Sequence, residues 1–326
     1  MHFARTQVSS EDAVAPGLDW SVASVTTAYN APGALARHLD ALLRLTRPLE
    51  EIIVVDNAST DETVAVLRER YPQVTVLRME ENLGPGGALA RGLEYAALER
   101  KHDWIWTFDQ DSVPAPDSLE ILLEEADRLA DHASEVGILA ALPVDEDMET
   151  SSTPWLWRDK FVKPPTEFLT RPVFFTDLVI TSGCMVRQET VEKIGLPRPD
   201  FFIDFVDYEY CLRARSQGYK VAVVPRAKMH HEVGKAHKVR FLVGRHHLWS
   251  ERRPFRQYYY SRNLAYLVWW LYPSPQAKGF ALLHLARHSV GLLLFGPERL
   301  ESLKKLLQGL WDGRRASLGT RFRPDY

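Results

Sequence analysis

The sequence has few cysteines, no long uncharged apolar run, and no basic, apolar start. Only two of its 326 residues are cysteines, Cys184 and Cys211, which is too few for a disulfide framework and lacks the spacing of a metal cluster. Both lie in apolar stretches, as small core residues do in proteins of a reducing compartment. The first residues lack the pattern of a signal peptide, so the sequence predicts a cytoplasmic protein.

A membrane-spanning helix is not predicted either. The longest apolar run, residues 288–296, is far shorter than the roughly 18 residues that a span needs. Residues 256–326 nevertheless carry 11 Lys or Arg and 4 Asp or Glu, a net charge of +7, whereas the whole chain carries −3. This basic end is also rich in Trp, Leu and Phe, at residues 269–272 and 292–295. It predicts peripheral binding to the anionic inner face of the plasma membrane, with packing on the protein body or a homodimer interface as alternatives.

The first half of the chain alternates apolar strands with helices. Strands are predicted at residues 21–27, 51–56, 74–79 and 103–108, and helices at 30–45, 59–70 and 87–100. Leucines share a face of the first helix at positions 35, 39, 42 and 43, and a Ser-Thr-Asp-Glu capping box begins the second. This alternation predicts an α/β fold with a parallel sheet, helices on both faces, and a ligand beyond the carboxyl ends of the strands.

The second half is less regular. Its predicted elements are a helix at 119–130, a strand at 136–142, a proline-rich loop at 151–172, strands within 173–186, a helix at 208–216, a strand at 220–224 and helices from 254 to 310. We therefore expect three parts: a flexible tail at residues 1–19, an α/β domain at 20–250, and a basic, apolar helical region at 251–326.

Asp109 and Asp111 directly follow the predicted strand at 103–108. Two carboxylates at this spacing can converge on one divalent cation, with diphosphate oxygens completing its shell. A solvated turn would show the same pattern, but the apolar strand before it brings the pair to the ligand-binding edge of the sheet.

Two other segments after strands carry candidate ligand-binding groups. Asp56 and Asn57 follow the second strand, where a carboxylate can accept a hydrogen bond from a nucleobase or a ribose, or simply belong to a helix cap. Residues 82–87, Asn-Leu-Gly-Pro-Gly-Gly, precede a helix that carries Arg91, and such a helix start favours anions. The glycines match neither a dinucleotide fingerprint nor a P-loop.

Candidate acid–base groups lie further along the chain. Asp204, Asp207 and Glu209 stand among aromatic residues, which favours a general base with a shifted pKa. The alternative is a surface turn in which Asp204 caps a helix. His230 and His231 follow a later strand and could bind a metal, although such pairs are more often structural.

Taken in order, these segments resemble the family-2 glycosyltransferases of GT-A fold over roughly residues 20–265. The resemblance rests on residues 26–30, 54–61, 82–84, 109–112, 182–183, 207–209, Arg213, Gly218 and His231. The strings FDQDS, SGCMV, FFIDFVDYEYCLRA and YYYSRN look most like bacterial rhamnosyltransferases. The Asn-Leu-Gly-Pro-Gly-Gly loop is also similar to that of galactofuranosyltransferases.

The resemblance implies a GT-A catalytic domain, Rossmann-like with a mostly parallel sheet, and a role for each matching residue. The donor nucleotide-sugar would be bound by Thr27, Tyr29, Asn30, Asp56, Asn57, Asn82, Gly84, Gly87, Arg91, Asp109 and Gln110. Mg²⁺ or Mn²⁺ would be bound by Asp109, Asp111 and His231. Asp207 would be the base, with the acceptor side formed by Glu209, Arg213, Ser182 and Gly183. Val206 stands where the family often has Glu before this Asp, so Glu209 stays an alternative base.

The implied reaction is an inverting, single displacement by an acceptor hydroxyl, without a protein nucleophile. The expected donor is dTDP-L-rhamnose and the acceptor a cell-surface glycan or a lipid-linked glycan, with UDP-galactofuranose as the alternative donor. Two rival classes stay open, another nucleotide-using α/β enzyme and a non-catalytic nucleotide- or nucleic-acid-binding module. The joint presence of Asp109, Asp111, Asp207 and His231 argues against the module, so no nucleic acid partner is expected.

Overall fold

The computed structural model describes residues 19–129, 135–145, 154–231, 236–240, 246–250, 253–296 and 298–323. The tail predicted at residues 1–19 lies outside this part of the chain except for Asp19. The first half contains strands β1 (Val22–Ala28), β2 (Glu51–Asp56), β3 (Thr75–Arg78) and β4 (Trp104–Asp109). They alternate with helices α1 (Pro32–Leu42), α2 (Thr63–Arg70) and α3 (Gly84–Leu93), and a π-helical turn, Glu94–Glu99, extends α3.

These elements confirm the predicted order, but three local predictions are wrong. Leu43 follows the end of α1 and is 47% exposed, so it does not share the buried face of that helix. The predicted capping box does not form, because Asp61 Oδ1 accepts from the N–H of Thr63 while Ser59 Oγ accepts from the N–H of Asn30. Helix α3 begins at Gly84 and not at residue 87 as predicted. The φ of Gly84 is +72°, a backbone conformation that glycine adopts much more readily than other residues.

Among the described residues, the second half adds nine strands of varied length and three α-helices. The strands are β5 (Val113–Pro114), β6 (Val136–Val144), β7 (Leu156–Trp157), β8 (Phe161–Val162), β9 (Phe174–Thr176), β10 (Cys184–Arg187), β11 (Lys220–His230), β12 (Ala236–Arg240) and β13 (His246–Ser250). The helices are α4 (Ser118–Arg128), α5 (Gln188–Ile194) and α6 (Val206–Ser216). The predicted loop at 151–172 thus contains the β7–β8 hairpin, and β11 runs beyond its predicted end to His230.

Nine of the described strands form one mixed sheet in the order β3-β2-β1-β4-β10-β6-β11-β5, with β9 also paired to β11. Strands β1–β4, β6 and β11 run in one direction, as predicted, whereas β5, β9 and β10 run in the other. The register pairs Thr27 with Asp109 and Ala28 with Asp56. The carboxyl ends of β1, β2 and β4 therefore meet at one edge.

Apolar side chains cover both faces of this sheet. Val25 and Val55 belong to a core that includes residues of α3 and α6, whereas Val54 and Trp106 belong to a second core with α1 and α4. Burial on both faces explains why the strand sequences EIIVVD and DWIWTF are almost continuously apolar. Packing in the two cores holds the strands in place, and it thereby also positions the polar residues at their carboxyl ends.

The predicted helical end consists of α7 (Pro254–Tyr266), α8 (Pro275–Phe295) and α9 (Arg299–Arg314), with a π-helical turn, Leu267–Leu271, after α7. A Cβ atom on Gly309 would lie 2.1 Å from the carbonyl oxygen of Tyr258, and one on Gly313 would lie 2.2 Å from that of Arg262. Glycine at both positions is what allows α9 to approach the backbone of α7 so closely. Among the described helices, none has both the length and the apolar character needed to cross a bilayer.

Candidate active site

A cleft of about 900 Å³ opens at the edge where β1, β2 and β4 end. One part of its lining is polar and comes mainly from the strand ends: Thr27, Ala28, Tyr29, Asn57, Asn82, Gly84, Asp109, Gln110, Asp111 and His231. Another part is mostly aromatic: Trp155, Phe161, Phe202, Phe205, Tyr208, Phe255, Tyr260, Phe280 and His284. Three charged residues also line it: Asp204, Asp207 and Arg256.

Asp109, Asp111 and His231 converge in this cleft, with one potential ligand atom from each lying within 4.8 Å of the others. Strand β11 carries His231 there, because its last residue, His230, pairs with Val113 just after the two aspartates. Carboxylate oxygens suit Mg²⁺ or Mn²⁺, and the imidazole adds a nitrogen ligand, so this donor set fits either cation. Burial raises the pKa of Asp109; His231 opposes this rise and the charge of Asp111 adds to it.

Ser182 lies behind this group of three and links its members. Its Oγ accepts a hydrogen bond from the N–H of Asp109 at 3.1 Å and lies 2.6 Å from Ser112 Oγ, which in turn lies 2.9 Å from His231 Nδ1. Gly183 has a φ of +81°, and a Cβ there would lie 2.9 Å from the sulfur of Met229. Ser182 and Gly183, predicted on the acceptor side, lie outside the cleft lining, where Ser182 supports Asp109 from behind.

Seven of the residues predicted to bind the donor line the cleft together, and hydrogen bonds hold several of them in place. The Gln110 side chain accepts from the N–H of Tyr29 at 2.8 Å and donates to its carbonyl oxygen at 3.1 Å. Asn57 Nδ2 donates to Asn82 Oδ1, which also accepts from the N–H of Gly84. These bonds join the ends of β1, β2 and β4 to the start of α3, so the polar lining is preorganised.

Asp56 is fully buried at the end of β2, beside the cleft residue Asn57. Its Oδ1 accepts from the N–H of Ser59, while its Oδ2 makes no hydrogen bond within the described part of the chain. Arg78 Nε lies 3.7 Å from that oxygen. A buried carboxylate oxygen without a hydrogen bond is costly, which makes it a natural partner for a ligand N–H.

Three other residues predicted to bind the donor lie outside the cleft lining. Asn30 is used in hydrogen bonds to Ser59 and Thr60. A Cβ on Gly87 would lie 2.4 Å from that of Leu83, so this glycine serves close packing within α3. Arg91 forms ion pairs with Glu94 and Glu99 further along the same helix and lies about two turns from the start of α3, so the structure does not bring it into the cleft lining.

The loop before α6 has an unusual backbone. Phe202, Asp204 and Phe205 have φ values of 62°, 61° and 65°, a region that costs non-glycine residues about 1–3 kcal/mol each. Helix α7 holds this loop through Asn263, whose Nδ2 lies within 2.9 Å of the carbonyl oxygens of Phe201, Ile203 and Asp204. Strain that is held by surrounding structure is typical of functional sites.

Asp207 follows this loop in the first turn of α6, with its side chain partly exposed to the cleft. Burial raises the pKa of its carboxyl group to about 7; a hydrogen bond from the N–H of Tyr208 opposes this, and the charges of Asp204 and Asp109 add to it. A small apolar cavity of about 20 Å³, lined by Cys184 and Cys211 among others, also borders Asp207. The carboxyl group is therefore poised to exchange a proton near neutral pH.

Asp204 has a different environment and does not cap α6, so the alternative of a helix-capping surface turn does not hold for it. Its carboxylate oxygens accept from Arg256 Nε at 3.0 Å and from Arg256 Nη2 at 2.9 Å. The attraction of Asp204 raises the pKa of Arg256, to which Asp109 and Asp207 also contribute. A fixed cation thus stands among three carboxylates in the cleft.

Glu209 and Arg213, predicted on the acceptor side, form a buried pair below the cleft. Arg213 Nε and Nη2 donate to the two carboxylate oxygens of Glu209 at 2.9 and 2.8 Å, and the guanidinium also donates to the carbonyls of Ile194 and Leu196. Glu209 is only 2% exposed. Its oxygens are already used, which favours Asp207 over Glu209 as the proton acceptor.

Sequence reasoning missed Arg256 and most of the aromatic lining. Phe161, from the predicted loop, has its ring centroid 5.5 Å from that of Tyr208 and 5.5 Å from that of Phe280 of α8. These residues are scattered over the β7–β8 region, the loop before α6, and helices α6, α7 and α8, so no local spacing could reveal them. The aromatic density of the segments FFIDF and YYY was the only available signal.

Known proteins resemble this chain in sequence and in fold. The profile of Glycosyl transferase family 2 matches residues 24–195. The dTDP-rhamnosyl transferase RfbF of Shigella flexneri is 27% identical over 311 residues, covering 92% of this chain and 97% of that protein. Galactofuranosyltransferase GlfT1 of Mycobacterium tuberculosis is 28% identical over 255 residues, covering 76% and 82%. The structure of GalNAc-T7 with UDP, GalNAc and Mn²⁺ shares the fold, with a TM-score of 0.59 at 16% identity over 91% of this chain and 56% of that one.

Proposed function

Since the chain belongs to glycosyltransferase family 2, we propose that it moves a sugar from a nucleotide-sugar donor to an acceptor hydroxyl and inverts the anomeric carbon. The observation that carries this proposal is the convergence in one cleft of Asp109, Asp111 and His231 with the carboxyl group of Asp207, whose pKa is raised to about 7. Family membership also favours this function over the two rival classes, another nucleotide-using enzyme and a non-catalytic module.

The proposed step is a single displacement. Asp207 accepts the proton of the acceptor hydroxyl while the hydroxyl oxygen bonds to the anomeric carbon. The bond from that carbon to the diphosphate oxygen breaks at the same time, and its electron pair leaves with the nucleoside diphosphate. A base that titrates near neutral pH suits this transfer. Mg²⁺ or Mn²⁺ held by Asp109, Asp111 and His231 supplies positive charge against the diphosphate.

The donor nucleotide occupies the polar part of the cleft in this proposal. Tyr29, Asn57 and Asn82 bind the nucleoside, and Asp56 Oδ2, which makes no hydrogen bond within the described part of the chain, accepts one from the base. The support is the preorganised set of hydrogen bonds among these residues and the buried, unsatisfied oxygen beside them. GalNAc-T7, a neighbour in fold, has UDP and Mn²⁺ in its structure.

The acceptor occupies the aromatic part of the cleft. Ring faces such as those of Trp155, Phe161 and Tyr260 suit the apolar faces of sugar rings, and Asp207 stands beside them. We infer a cell-surface glycan or a lipid-linked glycan as the acceptor, modified in the cytoplasm at the inner face of the plasma membrane. The support is the basic, apolar end of the chain, residues 256–326, whose net charge of +7 suits an anionic leaflet in which a lipid-linked acceptor would lie.

We expect dTDP-L-rhamnose to bind at least ~10-fold more tightly than UDP-galactofuranose, about 1.4 kcal/mol in binding free energy. The reason is that the similarity to RfbF covers 92% of this chain, whereas the similarity to the galactofuranosyltransferase GlfT1 covers 76%. Competition calorimetry in the presence of Mn²⁺ measures both affinities, with dTDP and UDP alone as controls for the nucleotide contribution. Tighter binding of UDP-galactofuranose would replace rhamnose by galactofuranose and leave the transferase proposal intact.

Replacing Asn263 by Ala should lower turnover by ~10-fold or more and leave donor binding near the wild-type value. The reason is that Asn263 holds the strained loop before Asp207, and lost hydrogen bonds of this kind cost about 1–3 kcal/mol. The matched control is Ser261→Ala, which removes a bond from the same helix to the Leu306 carbonyl without touching the loop. Equal turnover in the two variants would refute the role of Asn263 as a positioning residue.

A further inference from the structure

Helix α8 is apolar on both of its sides. Its buried side, with Ala281, Leu285 and Leu292, packs on the core. Its exposed side follows the helical spacing of three and four and consists of Leu282, Leu283, Ala286, Arg287, Val290, Leu293 and Leu294. We call this exposed side the α8 stripe; Arg287 is its single charged residue. A helix that is apolar all round is normally covered on every side, and within the described part of the chain nothing covers this one.

Exposed apolar side chains concentrate around this helix. Of the 14 large apolar side chains exposed in the described part of the chain, ten lie between Trp270 and Trp311. Phe295 and Leu300 continue the α8 stripe around the turn into α9. Trp269 and Tyr272, which were predicted to belong to the membrane-binding surface, instead pack against the core. For these two residues the alternative prediction, packing on the protein body, is confirmed. Single exposed apolar residues are ordinary, but a contiguous group marks a binding surface.

The charges beside the α8 stripe select its partner. Between Pro275 and Arg315 the exposed basic residues are Arg287, Arg299, Lys304, Arg314 and Arg315. Among the described residues of this range, the acids are the exposed Glu298, the half-exposed Glu301, which is ion-paired with Lys304 and Lys305, and the buried Asp312. A second copy of the chain would pair this surface with itself and bring like charges together. An anionic lipid surface offers both the apolar layer and the opposite charge.

We propose that the α8 stripe docks the protein on a bilayer that contains anionic lipids. The same helix carries Phe280 and His284, which line the cleft, and His284 directly follows Leu283 of the stripe. The helix that would contact the bilayer therefore also forms part of the aromatic lining of the cleft. Resting on the proposed transferase function, this placement assigns the acceptor to the lipid-linked class, with its glycan in the cleft and its lipid in the membrane.

Sedimentation of the full chain with vesicles tests the docking without nucleotide or acceptor. We expect binding to phosphatidylcholine vesicles that contain phosphatidylglycerol, little binding to phosphatidylcholine alone, and weakening by salt. Leu283→Glu with Leu294→Glu should lower the bound-to-free ratio at least ~10-fold. The matched control is Leu43→Glu with Leu169→Glu, at 47% and 42% exposure against 57% and 48% for the stripe pair. Arg287→Glu with Lys304→Glu, which leaves the apolar side chains in place, should also weaken binding.

Three results would overturn the docking: no binding to anionic vesicles at low salt, equal loss in the stripe and control variants, or dimerisation abolished by the stripe variant without any vesicle binding. Thermal unfolding and binding of nucleoside diphosphate with Mn²⁺ establish that each variant is folded. These readouts also separate the two proposals. A protein that binds vesicles but no nucleotide supports the docking and refutes the transferase, and the reverse pattern refutes only the docking.

Discussion

Replacing Asp207 by Asn should lower turnover by at least ~10²-fold while nucleoside diphosphate binding stays near the wild-type value. The amide keeps the size and one oxygen of the carboxyl group but cannot take the acceptor proton. The donor residues belong to other elements, so the loss should fall on turnover instead of donor affinity. Initial rates of sugar transfer, or of slow donor hydrolysis when no acceptor is present, measure the first quantity and calorimetry the second.

The pH profile supplies an independent readout of this role. The carboxylate form is the active one, so the rate should rise with pH as Asp207 loses its proton, at or below its raised pKa of about 7. A bound divalent cation favours the carboxylate and moves this rise to lower pH. The rise should vanish in the Asn variant. Glu209→Gln is the matched control, because it breaks the buried pair with Arg213 and should reduce stability more than turnover per folded molecule. The opposite pattern would make Glu209 the base.

Replacing Asp111 by Ala should lower the divalent-dependent affinity for nucleoside diphosphate at least ~10²-fold. The loss of a direct metal ligand should cost more than the loss of a residue that only hydrogen-bonds to a ligand. Asp111 contributes one of the three potential ligand groups and lies on the exposed side of the site, so its removal leaves two ligands without disturbing the core. Calorimetry with Mn²⁺ measures the affinity, and the same titration without cation gives the metal-independent part.

The control for this variant is Asp117→Ala. Asp117 is an exposed aspartate that precedes α4 and makes no capping hydrogen bond with its side chain, so it tests the loss of one negative charge nearby. Unchanged cation dependence in the Asp111 variant would remove this residue from the proposed ligand set. Equal weakening in both variants would instead indicate a general electrostatic effect.

The features that the sequence predicted well are local in the chain. Asp109 and Asp111 could be assigned to a strand end because the apolar strand lies immediately before them, and the parallel strands followed from the alternating pattern. His231 could be joined to them only through the family resemblance, since about 120 residues separate it from the aspartates. Periodicity predicted that Arg91 lies on a helix but could not indicate which side of that helix faces the cleft, and the structure places Arg91 outside the cleft lining.

The remaining features depend on contacts between distant segments. Strand β10 enters the sheet antiparallel between β4 and β6, and no pattern within its four residues indicates that direction. Ser182 was predicted near the acceptor, although its neighbours in space are Asp109 and Ser112. Arg256 of α7 enters the cleft because Asp204 has a left-handed backbone, a conformation that the sequence alone does not reveal.

The way in which α7 holds the loop before Asp207 also bears on how acceptor choice can evolve. Asn263 and Arg262 grip this loop through main-chain carbonyls, including those of Phe201 and Ile203, and not through its side chains. Hydrogen bonds to main-chain carbonyls do not depend on which side chains the loop carries. Ile203, which lines the cleft, is therefore free to vary between relatives that take different acceptors, while α7 must keep its two polar residues. Among relatives, substitutions should therefore be rarer at Arg262 and Asn263 than at the cleft-lining position of the loop.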